Sequence, residues 1–319
     1  MVMKPWKILI GLILVAAASM ILALGSGSIR IGWAEILSGK ASALDYELLL
    51  HLRLPRAINA FTTGALLAMS GALMQVLLRN PLADPYVLGL SGGASVAALG
   101  AMILGFNATG TSIGAFCGAM LSMFLVFGIS GFDRQSRLLL TGVVLASGWG
   151  ALITLILAIS PEAQLRGMLF WLMGNLDNAS SSYPGLIGLA AGLIFTLPIA
   201  RDLNILSKGD HLAGSLGVHV SRVRLQIYVL CALLTSIAVM TAGSIGFVGL
   251  IVPHSLRLLG AGDHRILLPG AAFLGGAFLV LADTLARTLI APQQLPAGVI
   301  MALIGVPMFL YLLAKSKMP

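Results

Sequence analysis

Long apolar blocks set the pattern of this chain, with no hydrophobic face recurring every third or fourth residue. Ten such blocks are separated by short polar breaks, at about 8–28, 57–78, 86–106, 112–130, 138–159, 184–200, 225–243, 247–259, 268–288 and 297–314. Each is read as a membrane-crossing helix. A full crossing needs about 20 residues, so the eighth block is predicted to be broken or only partly spanning. Prolines at 81, 85, 161, 184, 269, 292 and 296 are expected to punctuate the loops. The fold class is therefore an all-α polytopic membrane protein, with residues 1–319 forming one transmembrane domain.

Charge orients these blocks. With the N-terminus in the cytoplasm, only Arg30, Lys40, Arg53, Arg56, Arg166 and Arg287 of the 19 basic residues fall outside, and the other 13 fall inside. Both termini are then cytoplasmic. Arg53 and Arg56, in the stretch HLRLPR, and Arg287 stand beside helix ends on the disfavoured side. The start MVMKPWKILIGLILVAAASMILALGSGS has an apolar run of near-spanning length and reads as a retained first helix, although a leader cleaved after Gly25 fits the same pattern. The longest cytoplasmic connection covers residues 201–224. There Asp210 is expected to cap a short helix over His211–Leu216, closed by Gly217, with Ser221 capping the next helix. Such a helix suits a soluble partner pushing on it; an ordinary amphipathic connector fits equally well.

Composition narrows the class further. The chain is 58% hydrophobic and 9% charged, with mean hydropathy +1.01, whereas soluble domains carry about 25% charged residues. The 38 glycines suit close helix–helix approach in lipid. The net charge of +8 follows from the cytoplasmic excess of Lys and Arg, which argues against a nucleic-acid partner. Cys117 and Cys231 lie in apolar runs and are expected to be buried, unpaired and inert. The five histidines show no metal-ligand spacing, and no cofactor is expected on this chain.

Several motifs carry candidate chemistry. In NPLADPYVLGLSGGAS, Asn80-Pro81 is expected to end the second helix and Pro85 to start the third. One Asn-Pro-Leu falls short of the paired Asn-Pro-Ala motifs of a water channel. Ser91 in GLSG, with His254, would suit an intramembrane serine protease; close packing by Gly89, Gly92 and Gly93 is the simpler account. GSIGFVGLIVPHSLRLLG has no Lys-Ser/Thr after its glycines, and the chain has no Walker A motif, so any ATP must bind another subunit. Asp283 and Arg287 form an i,i+4 pair, and the other ten acids fall in or beside loops, which argues against a proton-coupled secondary transporter.

Together, RLPRAINAFTTGALLAMSGALMQVLLRNPLADPYVLGLSGGAS, SRLLLTGVVL, GSIGFVGLIVPHSLRLLGAGDHRILLPG and LADTLARTLIAPQQLPAGVIMALIGVPMFLYLL resemble the FecCD family of ABC importer permeases. The resemblance covers nearly the whole chain. It implies a type II importer permease fold of about ten helices, in the bacterial cytoplasmic (inner) membrane. It also implies a second permease subunit, as a homodimer or pseudo-homodimer, with two cytoplasmic ATPase subunits carrying the ATP and an external or periplasmic binding protein. The cargo would be a metal chelate: an iron siderophore, haem or cobalamin. The same resemblance assigns Asp210, His211, Leu212, Ala213, Leu216 and Gly217 to ATPase coupling, and Asn80, Leu82, Gln135 and Ser136 to a cytoplasmic gate. Gln135 stands where the cobalamin permease would have a small hydroxyl residue. Arg53, Arg56 and Arg287 match external arginines that meet glutamates of the binding protein; lipid phosphate is their other candidate partner.

Overall fold

The computed structural model describes residues 5–27, 36, 38, 42–131, 135–177 and 181–315, and every regular element among them is a helix. Lys4, Arg30, Lys40, Arg134 and Lys317, used above to orient the chain, lie outside the described residues, as does the side chain of Gln135.

The first half of the chain holds α1 (Pro5–Gly25), α2 (Ala43–Glu47) with a π-helical turn (Leu48–Arg53), and α3 (Leu54–Leu77). A 3-10 turn (Pro85–Leu88) then leads into α4 (Leu90–Ile103), α5 (Ala108–Ser130), α6 (Gln135–Ile159) and α7 (Glu162–Leu172). The second half holds α8 (Tyr183–Thr196), α9 (Ala200–Leu206), α10 (Asp210–Ser215), α11 (Val220–Ala242), α12 (Val248–Leu258), α13 (His264–Thr288) and α14 (Ala297–Lys315). Six described helices are long and apolar enough to cross a membrane, and α8 with α9 forms a bent pair broken by 66°. Three shorter apolar helices, α4, α12 and α14, complete the ten expected segments. The 11 residues of α12 rise only about 16 Å, so the eighth block spans in part, as expected.

The outcome differs from the sequence pattern in four places. Pro184 lies at the start of α8, where a missing N–H costs little because the first donors have no intrahelical partner. Pro269 lies inside α13, as membrane helices tolerate where neighbouring groups satisfy the freed carbonyl. Residues read as loops form α2, α7 and α9. Neither Asp210 nor Ser221 acts as a cap: α10 begins after Gly209 and ends at Ser215, and α11 begins after His219 without a side-chain cap. Cys231 is buried and Cys117 exposed, and both are free thiols.

Burial defines the layers. In the continuous Ala43–Leu77 run 94% of the most apolar stretch is buried, against 6% in α6. Thus α3 is the centre, packed on α11, α12 and α13, while α6 lies at the edge on α4, α5 and the 3-10 turn. Close approach requires absent side chains. A Cβ on Gly71 would overlap the backbone of Gly249 in α12, and one on Gly93 of α4 would lie 2.5 Å from the Gly118 carbonyl oxygen of α5. Gly93, and Gly92 whose added Cβ would lie 2.7 Å from Trp149 Cβ, are therefore packing residues. Buried polar groups add cross-links: Ser70 Oγ of α3 lies 3.0 Å from the Cys231 carbonyl oxygen and 2.7 Å from Thr235 Oγ1 of α11.

Gly71→Ala is expected to destabilise the protein by about 3 kcal/mol, since a backbone neighbour cannot move aside as a side chain can. Gly128→Ala on exposed α5, where nothing lies within 4 Å of the added carbon, is expected to be neutral or stabilising by up to about 1 kcal/mol. Thermal melting of the two variants in the same detergent measures the contrast.

Candidate functional site

Two polar centres mark opposite ends of α3. At its first turn, Arg56 is fixed by the Leu54-Pro55 helix start. Its Nε lies 3.1 and 3.0 Å from the two carboxylate oxygens of Asp283 in α13, and its Nη2 lies 2.8 Å from Asp283 Oδ1. Its Nη1 donates to Asp177 and, at 2.8 Å, to Gln294 Oε1. Arg287, one turn after Asp283, places Nε 3.1 Å from Asp283 Oδ2 and Nη2 3.4 Å from the Ala23 carbonyl oxygen. Arg53 in the π turn donates to the Leu24 carbonyl at 2.8 Å. The last carbonyls of α1, which have no helical partner, thus receive guanidinium donors.

The three arginines named from the sequence therefore converge. They do not form an unpaired basic patch, because Asp283 and Asp177 balance two of their three charges. All three still line a cavity of about 440 Å³ with His51, Asn59 and Asp177. The Asn59 Oδ1 atom there is buried without a partner.

At the far end, α3 stops at Leu77 and Arg79 takes a left-handed φ of +47°. Asn80 Oδ1 accepts from the Leu82 N–H at 2.9 Å, and Asp84 Oδ1 caps the 3-10 turn by accepting from Tyr86 N–H at 2.8 Å. Burial pushes the Asp84 carboxyl up to about 6, against the opposite pull of the Tyr86 N–H. Gly89, at φ +72°, turns the chain into α4, so the third crossing proper starts at Leu90 and not at Pro85.

Asp210 sits beside this turn. Its Oδ2 lies 2.8 Å from Arg224 Nη2 of α11 and 3.3 Å from Arg79 Nη2. Ala213 is buried while His211, Leu212, Leu216 and Gly217 are exposed, so α10 presents an outward surface on an anchored base. Ser136 is exposed at the start of α6 and shares no hydrogen bond with Asn80 or Leu82; α6 meets the segment higher up, through Gly142 against the Val87 carbonyl.

Arg79, Arg224, Asp177 and Gln294 escaped the sequence reading. Asp177 lies 121 residues and Gln294 238 residues from Arg56, and no local spacing announces such pairs. Ser91 and His254 form no dyad: the Ser91 carbonyl accepts from Ser95 Oγ and His254 Nε2 has no partner. No group of three His, Cys, Asp or Glu among the described residues could hold a metal ion.

This geometry defines a polytopic helical membrane protein with polar centres at both ends of its central helix. Residues 12–315 match the FecCD transport family, and the chain belongs to that family. The hemin transport system permease protein HmuU of Yersinia pestis is 37% identical, covering 98% of this chain and 96% of that protein. The cobalamin import system permease protein BtuC of Halobacterium salinarum is 42% identical, covering 83% of this chain and 73% of that protein. Among solved structures, an inward-facing ABC transporter of metal-chelate type aligns with TM-score 0.89 and 32% identity, over 97% of this chain and 99% of that one. The chain is thus the membrane-spanning, non-enzymatic subunit of an ABC transporter, whose ATPase is a separate subunit.

Asp283→Asn leaves Arg56 and Arg287 facing each other in a buried site and is expected to cost about 3–5 kcal/mol. Asp177→Asn, at a side chain 36% exposed, is expected to cost under about 1 kcal/mol. Denaturation midpoints of the two purified variants compare them.

Proposed function

We propose that this chain imports a metal chelate, an iron siderophore or haem, across a bacterial cytoplasmic membrane. The observation that carries this reading is the full-length likeness, at TM-score 0.89, to a transporter of metal-chelate type. Cobalamin is the second reading, favoured by the 42% identity to a cobalamin permease.

In this reading two copies of the chain pair through α6, whose exposed face mixes Ser147, Gly148 and Thr154 with leucines, small residues that let helices approach in lipid. Both termini and the α10 end face the cytoplasm, where two ATPase subunits meet His211, Leu212 and Leu216. The Asn80–Leu82 turn and the start of α6, with Gln135 and Ser136, close the cytoplasmic mouth. The opposite end faces outside, and an acidic binding protein docks over the cavity lined by Arg53, Arg56 and Arg287. ATP-driven closure of the ATPases moves α10, and the chelate crosses between the two copies without chemical change.

Reconstitution with the partner ATPase tests the cargo directly: ATP-dependent vesicle uptake of a ferric siderophore or hemin is expected. Uptake of cobalamin alone supports the second reading, and uptake that persists with a hydrolysis-dead ATPase rejects both. Docking is tested at Arg53, which donates to the neutral Leu24 carbonyl, because removing Arg56 or Arg287 would strip a partner from the buried Asp283 carboxylate. Arg53→Gln is expected to slow association of the binding protein about fivefold at low salt; an unchanged rate in surface plasmon resonance rejects the docking assignment.

A further inference from the structure

The Asp210 carboxylate faces inward, toward two arginines, and not along the surface that α10 presents. We propose that Asp210 links α10 to the turn carrying Asn80–Leu82, with Arg79 as the positioning residue that passes on the movement of α10. The proposal rests on the reading that α10 receives the motion of the ATPase.

The two arms of the linkage differ in burial. The Arg224 side chain is 10% exposed and pairs at 2.8 Å, which fixes Asp210 against the start of α11. The Arg79 side chain is 38% exposed and pairs at 3.3 Å, which makes it the weaker, releasable arm. Asp210 Oδ1 is buried without a partner, so the carboxylate has acceptor capacity left for Arg79 when the arm shifts.

The backbone beside Arg79 is what such an arm could move. A left-handed φ is disfavoured for a residue with a Cβ, and it persists where surrounding contacts impose it. Here the Asn80 N–H bonds to the Gln75 carbonyl at 3.1 Å, the Arg79 N–H bonds to the Val76 carbonyl at 3.2 Å, and the ion pair draws the side chain toward α10. Those two backbone bonds close the helix end and hold the left-handed φ, so what the ion pair adds is a pull whose change with α10 shifts the turn as a unit. Such a shift at Arg79 carries the next peptide units, Asn80 to Leu82, with it. Gly209, at φ +123° just before α10, has Arg79 Nη1 as its nearest neighbour, 4.0 Å from where a Cβ would stand. The hinge of α10 and the arm of Arg79 are thus adjacent, and Ala213 anchors the helix so that force on its outward face pivots it there.

The test uses the complete transporter with its ATPase in nanodiscs, in a Cys117→Ser background that removes the exposed native thiol. Leu82→Cys reports on the turn and Leu212→Cys on α10, each through its maleimide labelling rate without nucleotide and with trapped ATP. Both rates are expected to change about fivefold or more with nucleotide. Arg79→Met is expected to abolish the Leu82→Cys response and leave the Leu212→Cys response, and Arg79→Lys to preserve both. In uptake per ATP hydrolysed, Arg79→Met combined with Asp210→Asn is expected to match the worse single variant, as for two residues acting through one contact. A Leu82→Cys response that persists in Arg79→Met overturns the proposal, as does a failure of that variant to assemble that Arg79→Lys rescues, which would make the pair structural only. A Leu212→Cys rate that ignores nucleotide without any other substitution rejects instead the reading of α10 as the coupling element.

Discussion

Lipid gives a buried helix no hydrophobic reason to prefer one neighbour over another, so the place of α3 depends on contacts that lipid cannot imitate. Along its length these are backbone approaches, as where Gly71 meets Gly249, and polar bridges, as where Ser70 meets Thr235. At its ends they are ion pairs that reach α13 from Arg56 and α10 from Arg79. The other helices are arranged as layers around that element, and the least covered of them, α6, lies furthest from it in burial.

Three arginines gathered at the ends of apolar helices need a local reason, and Asp283 supplies it. Its carboxylate, 2% exposed, is shared by Arg56 and Arg287, while the last carbonyls of α1 take the remaining donors of Arg53 and Arg287. The cluster therefore knits α1, α3 and α13 together before any partner arrives. Two acids within the cluster, Asp283 and Asp177, offset part of the charge of its three arginines. A partner docking over the cavity would meet a modest field, so its recognition depends on shape and hydrogen bonds as well as on attraction.

The ten crossings were legible because a crossing imposes length and apolarity on consecutive residues, which a reader can count. So was the broken eighth, whose 11 residues follow from glycines and an aromatic at positive φ before Val248. The caps were not legible. Asp210 and Ser221 have the right chemistry for helix starts, but Asp210 is drawn away by Arg224, a partner 14 residues on, and pattern reading sees no such competition. The arginines were found as anomalies of charge, yet their partners Asp177 and Gln294 lie in loops whose position only the folded bundle defines. Pro269 misled because proline reads as a break, whereas α13 starts at His264 and runs through it, as membrane helices can.

The two ion networks use the same chemistry to opposite ends, and burial is what separates them. Asp283 is almost fully enclosed and bound by two arginines whose own side chains are 13% and 9% exposed; withdrawing either would strand a charge in a medium that cannot solvate it. That centre cannot open and close cheaply. Asp210 is one-third exposed, and one of its arginines is more exposed still, so water can take over from Arg79 at little cost. One helix thus carries a rigid ion network at one end and a yielding one at the other, and in the proposed reading force enters where contacts are exchangeable without loosening the bundle where they are not.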